Sequence, residues 1–142
     1  LEYLRATHEM PDILHANDWQ TALSVIYLKT ELSHIPELSR IRTIFTIHNI
    51  EYQGKYDFYI LGDVFALSED DRKVVEYGDC INLMKAAIEV ADKVTTVSPT
   101  YAREIFDPWF SHGLDRALND KEYKTRWLNE IAVLTTEVPP AY

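Results

Sequence analysis

Short apolar runs alternate along this chain with stretches in which apolar residues recur every three or four positions. Pro11 interrupts a helical segment near the amino end. The run Ile13 to Ala16 that follows is too short for a helix and predicts a buried strand. Beyond it, Trp19, Ala22, Leu23, Ile26 and Tyr27 draw one apolar face on a helix from about Trp19 to Leu32, with Asp18 standing at the N-cap position. Ser33 to Arg40, which contains Pro36, leads out of that helix. Ile41 to His48 is the clearest strand: its residues are mostly β-branched or aromatic, and near-continuous apolarity suits a strand covered on both faces.

Asn49 to about Asp57 reads as loop, and Phe58 to Leu67 is an apolar segment broken at Gly62. Ser68, with acidic residues at Glu69, Asp70 and Asp71, has the form of a helix start. After a polar turn at Gly78 and Asp79, the positions Ile81, Met84, Lys85, Ile88 and Ala91 place an apolar stripe beside one lysine stem, predicting a helix from Ile81 to Ala91. Val94 to Val97 is a further strand. Ser98 then caps, and Pro99 opens, a helix through Phe106. Strand, helix, strand in two successive intervals predicts an α/β fold with a parallel sheet. The expected division is residues 1–108 in that α/β body and residues 109–142 as a mainly helical tail outside the sheet core.

Composition narrows the classes. The 142 residues are 46% hydrophobic and 26% charged, ordinary for a folded domain. Fourteen Lys and Arg against 23 Asp and Glu give a formal charge of −9, with the acidic residues spread along the chain, so a nucleic-acid partner is not expected. No run nears the roughly 18 apolar residues of a membrane span, and no membrane partner is expected. The single cysteine, Cys80, has no internal disulfide partner, which suits a reducing compartment.

Polar residues gather where the predicted strands end. The first strand ends at His15, Asn17, Asp18 and Trp19, the second at His48 and Asn49, and the third at Ser98. Parallel strands point their carboxyl ends the same way, so these groups share the sheet edge where open α/β folds bind ligands. Each has a plainer role open to it. Asp18 can simply cap its helix, His15 can be a satisfied core histidine, and Asn17 can be a turn residue. Gln53 and Gly54 can form a turn, or Gly54 can let the backbone approach a ligand; Tyr52 and Tyr56 can pack, or can stack on a ligand ring. His48, ending a doubly covered strand, is the strongest candidate for ligand contact by position. The dinucleotide motif GxGxxG, the phosphate loop GxxxxGK, the hydrolase elbow GxSxG and metal-spaced His or Cys clusters do not occur, and no metal is expected.

The blocks PDILHANDWQTAL (Pro11 to Leu23), RTIFTIHNIEYQGKY (Arg42 to Tyr56), INLMKAAIEVADKVTTVSPTYAREI (Ile81 to Ile105) and FSHGLD (Phe110 to Asp115) resemble, in order and spacing, the amino-terminal domain of bacterial glycogen synthases and plant starch synthases. The resemblance implies part of a Rossmann-like, three-layer parallel sheet, on the glucan side of a two-domain GT-B fold. It implies retaining transfer of glucose from ADP-glucose to the nonreducing end of an α-1,4-glucan, with no cofactor beyond the nucleotide-sugar substrate. By the same resemblance His48 and Asp18 are the expected catalytic residues. Asn17, Asn49, Tyr52, Gln53 and Gly54 are expected to bind substrate, and His15, Ser98 and Tyr101 to line the cleft. Asn17 departs from the family's second histidine in its HxHDW element.

The family's Lys-x-Gly-Gly loop, its NGID-type segment and its whole second domain have no counterpart in these residues, so the expectation is a fragment that is inactive alone. Such a piece would have an incomplete sheet, prone to self-association, and would lack its partner domain. UDP-glucose is the alternative donor, and a noncatalytic glucan-binding module is the alternative function. The resemblance implies a bacterial cytoplasmic location, or the plastid stroma in a plant.

Overall fold

The computed structural model describes residues 1–120. The chain opens with α1 (Glu2–Thr7), which ends where His8 takes a left-handed conformation, and continues through β1 (Ile13–Asn17), α2 (Asp18–Lys29), α3 (Pro36–Ser39) and β2 (Arg42–Ile47). It then forms β3 (Lys55–Tyr56), α4 (Arg72–Val75), β4 (Glu76–Tyr77), β5 (Cys80–Asn82), α5 (Leu83–Val90), β6 (Lys93–Thr96), α6 (Pro99–Glu104) and α7 (Asp115–Asn119). Short 3₁₀ turns at Phe58–Ile60 and Glu69–Asp71 lie between β3 and α4.

A parallel three-stranded sheet in the order β1-β2-β6 is the frame. Ile13 pairs with Arg42 and Asn17 with Thr46, while Ile44 pairs with Lys93 and Ile47 with Thr96. Two right-handed crossovers that step in the same direction across a sheet deliver their helices to the same face, and α2 and α5 do pack on one another. Between them and the sheet lie Ala22, Val25 and Ile26 of α2, Met84, Ala87 and Ile88 of α5, and Phe45, Ile47 and Val94 of the strands, all fully buried. β2 is central, and Thr43, Phe45, Thr46 and Ile47 on it are buried. On the opposite face a polar row crosses the strands: His15 Nε2 lies 2.7 Å from Thr46 Oγ1, which lies 2.6 Å from Thr95 Oγ1.

At the amino ends of the strands, Asp92 ties the sheet to α2. One oxygen, Oδ2, accepts from Lys29 Nζ at 2.9 Å, the Thr43 amide at 2.7 Å and the Thr43 hydroxyl at 3.0 Å. Burial by itself would raise this carboxyl, but the Lys29 and Thr43 donors outweigh it and hold the group below the ordinary carboxylate range.

Four local expectations are corrected. Asp18 does not cap α2, because its carboxylate accepts the His48 amide at the end of β2. The helix expected from Ile81 begins at Leu83, because Ile81 and Asn82 pair with Tyr56 and Lys55 in a small antiparallel sheet of order β3-β5-β4; Asn82 supplies the cap, accepting the Lys85 amide at 3.0 Å. Ser68 turns its hydroxyl onto Asp71 Oδ2 at 2.6 Å instead of capping, and the helix start expected there is a 3₁₀ turn that leads into one turn of α-helix. Finally, Leu114 and Leu118, in the segment expected outside the sheet core, are fully buried in it, and α7 packs on α5. Leu114 and Leu118 are four apart and share a face of that turn. The part of the expected tail at 121–142 lies outside the described residues.

Candidate functional site

The carboxyl edge of the parallel sheet is assembled by Asp18. Its backbone has φ +57°, a left-handed conformation that Asp tolerates better than most residues, and the strand turns into α2 on it. The amino end of α2 is closed instead by Thr21, whose Oγ1 lies 2.7 Å from both the amide and the carbonyl of Asn17. That leaves the Asp18 carboxylate to reach across to β2. Oδ1 accepts from the His48 amide at 2.8 Å and the Asn49 amide at 3.4 Å, and Oδ2 lies 3.0 Å from His48 Nδ1. The ends of β1 and β2 are thereby clasped, with the His48 ring 46% exposed and the Asp18 side chain 26% exposed.

The third strand end joins through α6. Ser98 caps that helix as expected, accepting the Tyr101 amide at 3.1 Å, and Tyr101 Oη accepts the Ile50 amide at 2.9 Å. Burial pushes the Tyr101 phenol above its ordinary range; the bond from Ile50 opposes this, and the nearby Asp18 and Glu104 charges add to it. Tyr101 is thus a neutral prop behind the loop that follows His48.

Within that loop, Asn49 Oδ1 accepts the Glu51 amide at 3.0 Å, and Tyr52 projects outward, 62% exposed. Gln53 is buried: its Nε2 donates to the carbonyls of Ile50 at 3.0 Å and His112 at 3.1 Å, and its Oε1 accepts from Asn82 Nδ2 at 2.7 Å. Gly54 has φ +67°, and a Cβ placed there would sit 2.7 Å from Trp19 Cε3. The close approach that this glycine permits is therefore to Trp19. Trp19, Tyr52, Gly54 and Tyr56 border an open hollow of about 320 Å³ beside the strand ends.

The structure brings Asp18, His48 and Asn49 together and joins Tyr101 to them through Ile50. Asn17 is exposed at the same edge, whereas His15 lies further back in the polar row, on the sheet face opposite α2 and α5. The Ser98 hydroxyl serves its helix, and the Gln53 carboxamide is spent inside the protein. Sequence reasoning passed over Trp19 as a wall of the hollow, Asn82 as the partner of Gln53, and Thr46 and Thr95 as a cross-strand polar pair. Two threonines in otherwise apolar strands were the available signal for the last. Among the described residues no cluster of His, Cys, Asp and Glu has the makings of a metal site, and no helix is long and apolar enough to cross a membrane.

A parallel sheet with polar groups converging at its carboxyl edge defines the Rossmann-like α/β class. Residues 1–120 match the family described as the starch synthase catalytic domain, and the chain belongs to that family. It is 44% identical over 124 residues to a glycogen synthase of Alkaliphilus metalliredigens, covering 86% of this chain and 26% of that protein. It is 42% identical over 120 residues to a glycogen synthase of Streptococcus mutans, covering 83% and 25%. The structure of the catalytic domain of Starch Synthase IV from Arabidopsis thaliana bound to ADP and acarbose matches with a TM-score of 0.77 at 36% identity, over 87% of this chain and 26% of that one. The expected fold class, a Rossmann-like part of a GT-B catalytic domain, holds. The chain spans about a quarter of the length of the curated relatives it matches.

Proposed function

We propose that the whole protein transfers glucose from ADP-glucose to the nonreducing end of an α-1,4-glucan with retention of configuration, and that this chain supplies the glucan-side wall of its cleft. The observation that carries the reading is the clasp of Asp18 on the His48 amide and ring at the sheet edge of a starch synthase family chain. A solved relative bound to ADP and acarbose supports a nucleotide and a glucan-like ligand as the partners.

In this scheme positive groups of a second domain stabilise the leaving diphosphate, and an acceptor hydroxyl attacks on the face that ADP vacates. His48 contacts the transferred glucose, Asp18 holds His48, and the loop of Asn49 and Tyr52 lies toward the glucan, braced from behind by Gln53, Gly54 and Tyr101. Positioning and preorganised dipoles supply the rate, with no covalent nucleophile from this segment, no metal and no cofactor. A soluble cytoplasmic setting belongs to the same reading.

The exposed Tyr52 and Trp109, at 62% and 85%, favour a second reading in which the chain only binds glucan, by stacking aromatic rings on sugars. Two measurements separate these: incorporation of labelled glucose into glycogen by the whole protein with ADP-glucose or UDP-glucose, and titration of the 142-residue chain with maltooligosaccharides. Incorporation supports transfer, and the preferred donor decides the nucleotide. Binding that is lost on changing Tyr52, with no incorporation from either donor, supports the binding module.

A further inference from the structure

We propose that Asp18 acts as a positioning residue that fixes the tautomer of His48, holding the ring proton on Nδ1 and leaving Nε2 as a hydrogen-bond acceptor for a sugar hydroxyl. The carboxylate is not free to turn. Its Oδ1 is held by the His48 amide at 2.8 Å and the Asn49 amide at 3.4 Å, and the backbone beneath it is locked at φ +57°. Oδ2 is therefore presented to His48 Nδ1 at 3.0 Å.

An ionised carboxylate offers only lone pairs, so a bare Nδ1 at that distance would set lone pair against lone pair. The proton belongs on Nδ1, and in the neutral ring Nε2 is then an acceptor. Among the described residues no hydrogen-bond partner is found for Nε2, and the ring is 46% exposed, so this acceptor is open to a ligand. One carboxylate thus sets the backbone at the end of β2, the orientation of the ring and the position of its proton.

Replacing Asp18 by Asn separates these functions. The carboxamide oxygen can still accept the two amides, while its NH₂ faces Nδ1 and drives the ring proton to Nε2. The test is a long-range proton–nitrogen correlation spectrum of the ¹⁵N-labelled 142-residue chain under conditions where the ring is neutral, with His48 assigned by its loss in His48→Gln. The expected result is Nδ1–H with bare Nε2 in the parent chain and the inverse pattern in Asp18→Asn. Nε2–H in the parent chain overturns the proposal whether or not the variant folds, and so does an unchanged pattern in a folded variant.

The consequence for turnover rests on the transfer reading above. In the whole protein Asp18→Asn is expected to lower kcat about tenfold or more with little change in KM, the size of one oriented hydrogen bond in the transition state. A protein with no transferase activity but with Nδ1–H sinks the transfer reading and leaves the tautomer assignment standing. Transfer undiminished by Asp18→Asn, in a variant whose tautomer has inverted, overturns the positioning role assigned to Asp18.

Discussion

Gly54→Ala tests how the loop after β2 is held. The backbone at Gly54 has φ +67°, a conformation that costs an L-residue with a side chain roughly 1–2 kcal/mol. The added methyl would also stand 2.7 Å from Trp19 Cε3, 3.0 Å from Cδ2 and 3.2 Å from Cβ, a hard overlap with a ring that is itself packed against Tyr56 at 6.0 Å between centroids. Overpacking of this kind adds about 1–3 kcal/mol, for a total of roughly 2–5 kcal/mol. That is a large share of a typical domain's stability of about 5–15 kcal/mol. Gly78 is an internal control, since it has φ +61° with no atom within 4 Å of an added Cβ, so Gly78→Ala should cost only the backbone part.

Equilibrium urea unfolding of both variants, followed by circular dichroism, gives the comparison, and repeating Gly54→Ala in a Trp19→Ala background isolates the clash. Equal losses for the two glycine variants, or the same Gly54 cost with and without the Trp19 ring, would show that the methyl meets no clash with Trp19. The loop has little slack to absorb the methyl, because the Gly54 and Gln53 carbonyls accept the Leu83 and Met84 amides at 3.1 and 3.0 Å.

Three further outcomes are expected. Asp92 has a depressed carboxyl in the folded state, so its contribution to stability is present above the unfolded carboxylate range near pH 4 and fades as pH falls through the folded value. Thermal melts of the parent chain and Asp92→Asn should therefore differ most at neutral pH and converge on acidification; a gap that widens in acid contradicts this. Ser98→Ala should destabilise by about 1 kcal/mol through loss of the α6 cap, read by urea unfolding, and a change near zero would show that the 3.1 Å bond to the Tyr101 amide contributes nothing net. The 142-residue chain incubated with labelled ADP-glucose and glycogen should incorporate no glucose above a boiled control, and clear incorporation would show that these residues suffice for transfer.

The parallel sheet was legible because β-branched runs and helical apolar stripes alternate, and Ser98-Pro99 is an unambiguous helix start. What escaped was set by tertiary contact. Ile81 fits a helical stripe with Met84 and Ile88, yet pairing with Tyr56 makes it a strand residue, a choice that local spacing leaves open. Leu114 and Leu118 fell in a helical tail expected outside the sheet core because their burial depends on α5, more than twenty residues away. At the site, sequence position gave Asp18, His48 and Asn49 their common edge but offered Asp18 a capping role. The left-handed turn at Asp18 and the Thr21 closure of α2, both invisible in a string of residue types, redirect the carboxylate to His48. Gln53 and Gly54 matched a substrate loop, and their own packing accounts for them first.

His48, held by Asp18, is proposed to serve glucosyl transfer. Its most direct test is the rate at which the whole protein moves labelled glucose from ADP-glucose to the nonreducing end of glycogen, measured for the parent sequence and His48→Ala together with their unfolding curves. Incorporation by the parent, and a fall in turnover of about 100-fold or more in the variant at unchanged stability, are expected. Absence of incorporation by the parent, or loss of activity matched by loss of folding in the variant, would contradict it.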